Sequence, residues 1–237
     1  MLTMLRQMRF LIVLFLMLAV VSCATYKRGI IEIRSVNEYA HLSTAEGVTV
    51  AADPYDSTEK AKKGFYLDVI RQGFFPINLI LKNNTNERVR VLKESIELVD
   101  EDGVVHRPVS GKTMFDRFKR NPVARFLAAS VISVSVGVVS YVSTVIANRK
   151  MKADWQQKEI PNQLVLDPGK QLNGFVYFKV PEDKITRVSK LCLESERLNS
   201  RKKVRFELAP DENRSAIILS PNRQEKANDP VSTEPNV

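Results

Sequence analysis

Cysteine is nearly absent from this chain: 237 residues contain only Cys23 and Cys192. If either is consumed, no intramolecular disulfide remains, and stability has to come from packing. Histidine is as scarce. His41 and His106 stand alone, with no His-x-x-x-His, Cys-x-x-Cys or Glu-x-x-His spacing, so zinc has too few soft ligands. Gly-x-Ser-x-Gly and the glycine loops that cradle phosphates are both missing. Asp100, Asp102 and Gly103 match the opening of a calcium loop, but Gly111 occupies the twelfth position, where a glutamate is required. A turn explains them better. A Ser-His-Asp arrangement around His106 is conceivable, yet nothing singles out its serine, and Cys192 reads as a small half-buried filler. The expectation is a non-catalytic chain with no metal, no nucleic acid and no small-molecule substrate.

Acidic residues are missing from the first 22 positions, which carry only Arg6 and Arg9 as charges. The apolar run at 10–21 is about 12 residues, short of the roughly 20 that cross a bilayer. A charged start followed by a short apolar stretch is the layout of a secretory signal. The run ends in Val20, Val21, Ser22 and Cys23. These four resemble the lipobox of bacterial lipoproteins, with valine where the family usually has leucine. The resemblance implies that 1–22 is a cleaved signal peptide and that Cys23 carries a diacylglycerol and an N-acyl chain, the only bound group expected. Two or three acyl chains anchor durably where one does not. Ala24, rather than aspartate, follows the cysteine, which by analogy with enterobacterial sorting implies the outer membrane, facing the periplasm.

Losing 1–22 takes Arg6 and Arg9 but no acid, so the net charge falls from +9 to +7 over the remaining 215 residues. That length suits one domain with a real core, or two small ones. In an envelope setting a basic surface points to lipid headgroups or an acidic protein partner rather than nucleic acid.

Short period-two runs punctuated by turns occupy 23–111 and resume over 159–219. Ile31 and Ile33 alternate with charges, and Gly47 to Ala51 form a run closed by Asp53 and Pro54. A strand over 77–82 ends at Asn83-Asn84-Thr85-Asn86. Val89, Val91, Ile96 and Leu98 lead into the turn at Asp100 to Gly103. Later, Asp167-Pro168-Gly169 precedes the clearest strand, 174–180, and Leu191, Leu193, Val204, Phe206 and Leu208 frame a basic hairpin loop. A helical turn is expected near 57–63 and a disordered tail over 220–237. Neither block alone covers two faces. Together they supply seven or eight strands, enough for one immunoglobulin-like antiparallel β-sandwich interrupted by an inserted apolar helical segment. A Pro-Gly turn before a Gly-Phe-x-Tyr-Phe strand also resembles envelope lipoproteins of uncharacterised role that carry such sandwiches.

The insertion, 112–158, reads as a basic-flanked apolar helix or helical hairpin. Residues 126–147 lack any charge, with Asn121 and Pro122 as N-cap and first helical position and Pro161 as the latest stop. Arg125 precedes the stretch and Arg149 and Lys150 follow it; Lys112, Arg117, Lys119, Arg120 and Lys152 lie further out. Five serines, one threonine and one glycine make it less hydrophobic than an ordinary span. In a helix, Ser130, Ser133, Gly137, Ser140 and Thr144 align as one stripe of small residues, which permits close helix contact. Val134, Val138, Tyr141, Val142 and Val145 fall opposite. Trp155 lies where an interfacial ring would sit, or where it would pack on the sandwich. Three outcomes are open: a helix that dips into a membrane or self-associates, a true span, and a helix buried on the sandwich. The expected function is accordingly a lipid-anchored envelope module that contacts lipid and a protein partner without catalysis. The alternative is a membrane-spanning component of a transport or secretion complex. Cys23, Arg125, Ser133, Gly137, Ser140, Thr144, Arg149, Lys150 and Trp155 are the candidate site residues.

Overall fold

A computed structural model of the chain describes residues 26–131 and 133–209. The lipobox with Cys23 and the tail at 220–237 lie outside them. The fold is mainly β: two antiparallel sheets with a helical insertion. The first sheet has the order β1 (His41–Ala45), β2 (Val48–Pro54), β3 (Phe74–Asn83), β9 (Gln171–Lys179) and β7 (Pro108–Val109). The second is built on β10 (Val188–Arg197). One edge of β10 pairs with β11 (Lys203–Leu208), the other with β4 (Val89–Leu92) and β5 (Glu97–Asp100) end to end. β8 (Gln163–Leu166) and β6 (Val105–His106) flank β4 and β5 respectively.

The inward face of this sheet follows from a phase change in the sequence. Val89 and Val91 are inward at odd positions, Ile96 and Leu98 at even ones. A 3-10 turn at Lys93–Ser95 absorbs the slip, so all four are fully buried. Opposite them the first sheet supplies Ile77, Leu79, Leu81, Val176 and Phe178. Strand alternation turns Phe175 and Tyr177 of β9 to the other side. The sheets are linked at a corner by Asn83, whose Nδ2 donates to the carbonyls of Glu87 and Leu166 while its own carbonyl accepts from Gly169 N. The Asn83 turn and the Asp167 turn are therefore crossovers between sheets rather than hairpin tips.

A third layer covers the outer face of the first sheet. It comprises α1 (Thr58–Phe65), α2 (Gly111–Phe118) and the lower turns of α4 (Val134–Lys158), while α3 (Pro122–Ser130) packs on the upper turns of α4. A last helical turn, α5 (Glu182–Ile185), links β9 to β10. The Ser57 side chain caps α1 by accepting from Lys60 N. Phe65 of α1 meets Phe175, Tyr177, Tyr55 and Trp155 edge to face. Trp155 is 0% exposed, so this ring is not available at an interface. The expectation that it contacts a membrane or partner is corrected: α4 continues far enough past the apolar stretch to carry it under Phe118 and onto the sheet.

Of the two forms open for the insertion, one helix or a helical hairpin, the structure shows the hairpin. The apolar stretch is divided between its two arms, with Ser130 the last residue of α3 and Val134 the first of α4. Among the described residues no helix is long and apolar enough to cross a membrane.

Candidate functional site

The insertion is closed at its base by one carboxylate. Glu159 Oε2 accepts from Gly111 N at 2.8 Å, and its Oε1 pairs with the Lys93 ammonium, which is itself largely buried. The two ends of the insert are thus pinned to the sandwich at one point. Beside it lies a second cluster, centred on buried Asp154. Its Oδ2 accepts from Tyr26 Oη and Lys158 Nζ, both at 2.6 Å, and its Oδ1 pairs with Arg28 Nε at 2.8 Å. Lys158 also donates to the carbonyl of Gly64. Burial drives the Tyr26 phenol well above its usual range, helped by the Asp154 carboxylate. Burial also lowers the Lys158 ammonium, with Asp154 partly offsetting that effect. Tyr26 and Arg28 carry no signal in the sequence for this role, because their partner lies 128 residues away from Tyr26.

Above this root, α3 and α4 stand as a hairpin. Asn121 caps α3 by accepting from the amides of Val123 and Ala124, and Pro122 fills the first turn, as the sequence predicts. At the hairpin base the Asn148 side chain bonds both the amide and the carbonyl of Arg120, locking the two arms in register. Along the seam, a Cβ at Gly137 would lie 2.2 Å from Ser130 Oγ and 3.1 Å from the Phe126 ring. Thr144 is 0% exposed and its hydroxyl donates to the Ser140 carbonyl. The small-residue stripe therefore does permit close approach, but the helix that approaches is the chain's own α3. Gly137 and Thr144 are occupied in this way, Ser140 is half-buried, and Ser133 is the N-cap residue of α4, its hydroxyl bonded to that of Ser135.

The outside of the hairpin is the exposed feature. Val123, Leu127, Val131, Val134, Val138, Val139, Tyr141, Val142 and Ile146 are all exposed, Val131 at 88% and Val134 at 69%. They are nine of the sixteen exposed large apolar residues among those described, gathered in 24 positions. Solvated surfaces rarely concentrate apolar side chains in this way unless something covers them. The face opposite the small stripe, not the stripe itself, is the available surface. A helix whose apolar residues nearly encircle it, rather than forming one stripe, is the signal that identifies it.

Charge completes the site. From Arg117 to Ala153 there is no acidic residue, while Arg117, Lys119, Arg120, Arg125, Arg149, Lys150 and Lys152 all fall within that interval. Lys119, Arg120, Arg149, Lys150 and Lys152 are exposed and Arg125 is half-buried. Asp116, just before the interval, is held down to about 2 by hydrogen bonds from Lys112 and Lys119 and stays ionised. The apolar hairpin thus rises from a basic collar.

The residues weighed for catalysis have other tasks. His106 bonds Asp100, which also accepts from the Val104 amide, and together they fix the β5–β6 turn. Burial works to raise the Asp100 carboxyl, but the His106 and Val104 hydrogen bonds with nearby Lys184 outweigh it and hold it below the usual range. Cys192 is a buried free thiol, pushed up by burial. Among the described residues no group of three or more His, Cys, Asp or Glu is placed to hold a metal ion. No protein-family model matches the chain, and comparison with curated proteins and with solved structures finds no match.

Proposed function

We propose that this chain is a lipid-anchored module of the bacterial cell envelope that acts by contact rather than by catalysis. In this reading the signal at 1–22 is cleaved and Cys23 carries the lipid, with the outer membrane, on its periplasmic face, as the site of anchoring. The observation that carries the reading is the pairing of the lipobox sequence with an exposed, basic-collared apolar hairpin, a surface made to be covered. Tyr26, three residues after Cys23 in the sequence, is tied to Asp154 at the hairpin root, which supports a lipid attached near the hairpin. The apolar stretch is shared between two helices, so an anchored module is proposed in preference to a spanning component of a transport or secretion complex.

The test is the intact mass of the tagged full chain purified from bacterial membranes. The expected product begins at Cys23 and carries a diacylglycerol, with or without a third acyl chain, and Cys23→Ser accumulates unprocessed. A wild-type product that is unlipidated, or cut at another position, would overturn the proposal.

A further inference from the structure

We infer that the α3–α4 hairpin is a second membrane contact, entering the lipid of one leaflet without crossing it. Two observations favour lipid over a protein groove, and a third sets the depth. Apolar residues are exposed on the outer faces of both arms, from Val123 and Leu127 on α3 to Val138 and Ile146 on α4. A protein groove covers one face of a helix, whereas lipid covers every face presented to it. The collar is wholly basic over the interval that contains no acid, which complements anionic headgroups.

Dimensions supply the third. Asn148, at the collar, and Val134, at the tip, are fourteen residues apart, about 21 Å along the helix at 1.5 Å per residue. That falls short of the far side of a hydrocarbon core roughly 30 Å thick, and a hairpin of this length tilted from the bilayer normal stays within one leaflet's share. Nor is the tip built for crossing: Ser133 makes no side-chain bond to the first amides of α4. Those amides need water or headgroup partners, which a tilted hairpin lying shallow in one leaflet keeps within reach. The anchor fits the same height. Cys23 precedes Tyr26 by three residues, a reach of up to about 11 Å, and Asp154 lies six residues, about 9 Å, below Asn148 on α4. A lipid on Cys23 can therefore enter the membrane at the level of the collar.

The inference deepens the anchored-module reading, and its test separates the two. The full chain, with Cys192→Ser to remove the second thiol, carries Val138→Cys or Lys150→Cys labelled with an environment-sensitive dye. It is reconstituted into vesicles of phosphatidylethanolamine and phosphatidylglycerol. The expected result is a blue-shifted probe at 138 quenched by nitroxides on the acyl chains, and a probe at 150 quenched by headgroup nitroxides. A probe at 138 that stays quenchable by aqueous iodide would overturn the inference, as would disulfide crosslinking between the 138 thiols of the same variant left unlabelled, without acyl-chain quenching of the labelled one, which assigns the surface to a second copy. The mass of the amino terminus is read from the same sample. Quenching at 138 with an unlipidated Cys23 defeats the anchor alone, and a lipidated Cys23 with an aqueous 138 defeats the hairpin insertion alone.

Discussion

Gly137 is where one atom decides the hairpin's geometry. The arms touch so closely there that any side chain must displace Ser130 and the Phe126 ring. Gly137→Leu is expected to cost about 1–3 kcal/mol through overpacking, and the cost falls on the hairpin because the position is remote from the sandwich core. The open hairpin population then rises by roughly 5- to 150-fold, which limited trypsin cleavage at Arg120, Arg125 and Arg149 reports when reclosing is fast. Unchanged cleavage would mean that the arms do not depend on this contact. The spacing that makes Gly137 a contact residue is readable in the sequence, but its partner is not. A stripe of small residues looks the same whether it faces a second copy or its own neighbour. Residues 131–133 include neither glycine nor proline to mark a break, so the sequence leaves one helix and a hairpin equally open. Trp155 was ambiguous for a related reason. Its place under Phe118 and beside Phe65 is set by contacts from residues 37 and 90 positions away.

At the scale of elements, the insertion divides into a separable half and an integral half. Arg120 and Asn148 are hydrogen-bonded, so a short Gly-Ser loop in place of 121–147 closes without strain. Below that point, Met114, Phe115, Met151 and Trp155 belong to the main buried cluster. Replacing 121–147 is expected to move Tm by no more than about 4 °C, equivalent to ~1 kcal/mol for a chain of this size. Removing 112–158 is expected to prevent folding. Truncation of Trp155 alone would cost about 3–5 kcal/mol, against a total stability of roughly 5–15 kcal/mol. Thermal denaturation of both variants checks this, and a cooperatively folded 112–158 deletion would show that the helical layer is dispensable. The β elements themselves were largely legible because period-two alternation and turn residues are local signals. What alternation does not encode is which sheet a strand joins. The turns at Asn83 and Asp167 are legible as turns, but that they cross between sheets is a choice made by the Asn83 side chain's bond to the distant Leu166 carbonyl. The candidate site was half legible for the same reason. Its charge-free interval and basic flanks are local, whereas the side of the helix left uncovered depends on where the chain turns back.

For the molecule as a whole, the layer that covers the first sheet makes its stability sensitive to alkali. Burial raises the phenols of Tyr26, Tyr55 and Tyr177, seconded by the carboxylates of Asp154, Asp53 and Glu159 respectively. All three take part in that layer: Tyr55 meets Phe65 and Phe175, Tyr177 stacks on Phe175, and Tyr26 reaches the root of α4. A phenol whose folded value is raised stays protonated after the unfolded chain, with a value near 10, has lost its proton. The stabilisation is therefore fully present below about pH 10 and is lost as pH climbs beyond it. Tyr55 and Tyr177 each contribute a slope of up to about 1.4 kcal/mol per pH unit, and half-exposed Tyr26 contributes less because water screens its phenolate. Lys158, whose ammonium is lowered, pulls the opposite way only until its unfolded value near 10.4 is passed. Urea midpoints followed upward from about pH 10 should fall steadily, while tyrosine absorbance shows the Tyr55 and Tyr177 phenols ionising only as the chain unfolds. Tyr55→Phe should flatten the fall by one tyrosine's share. Midpoints that stay level through this range, or six phenols that titrate together in the folded chain, would show that water reaches this layer and that the helices do not seal the outer face of the sheet.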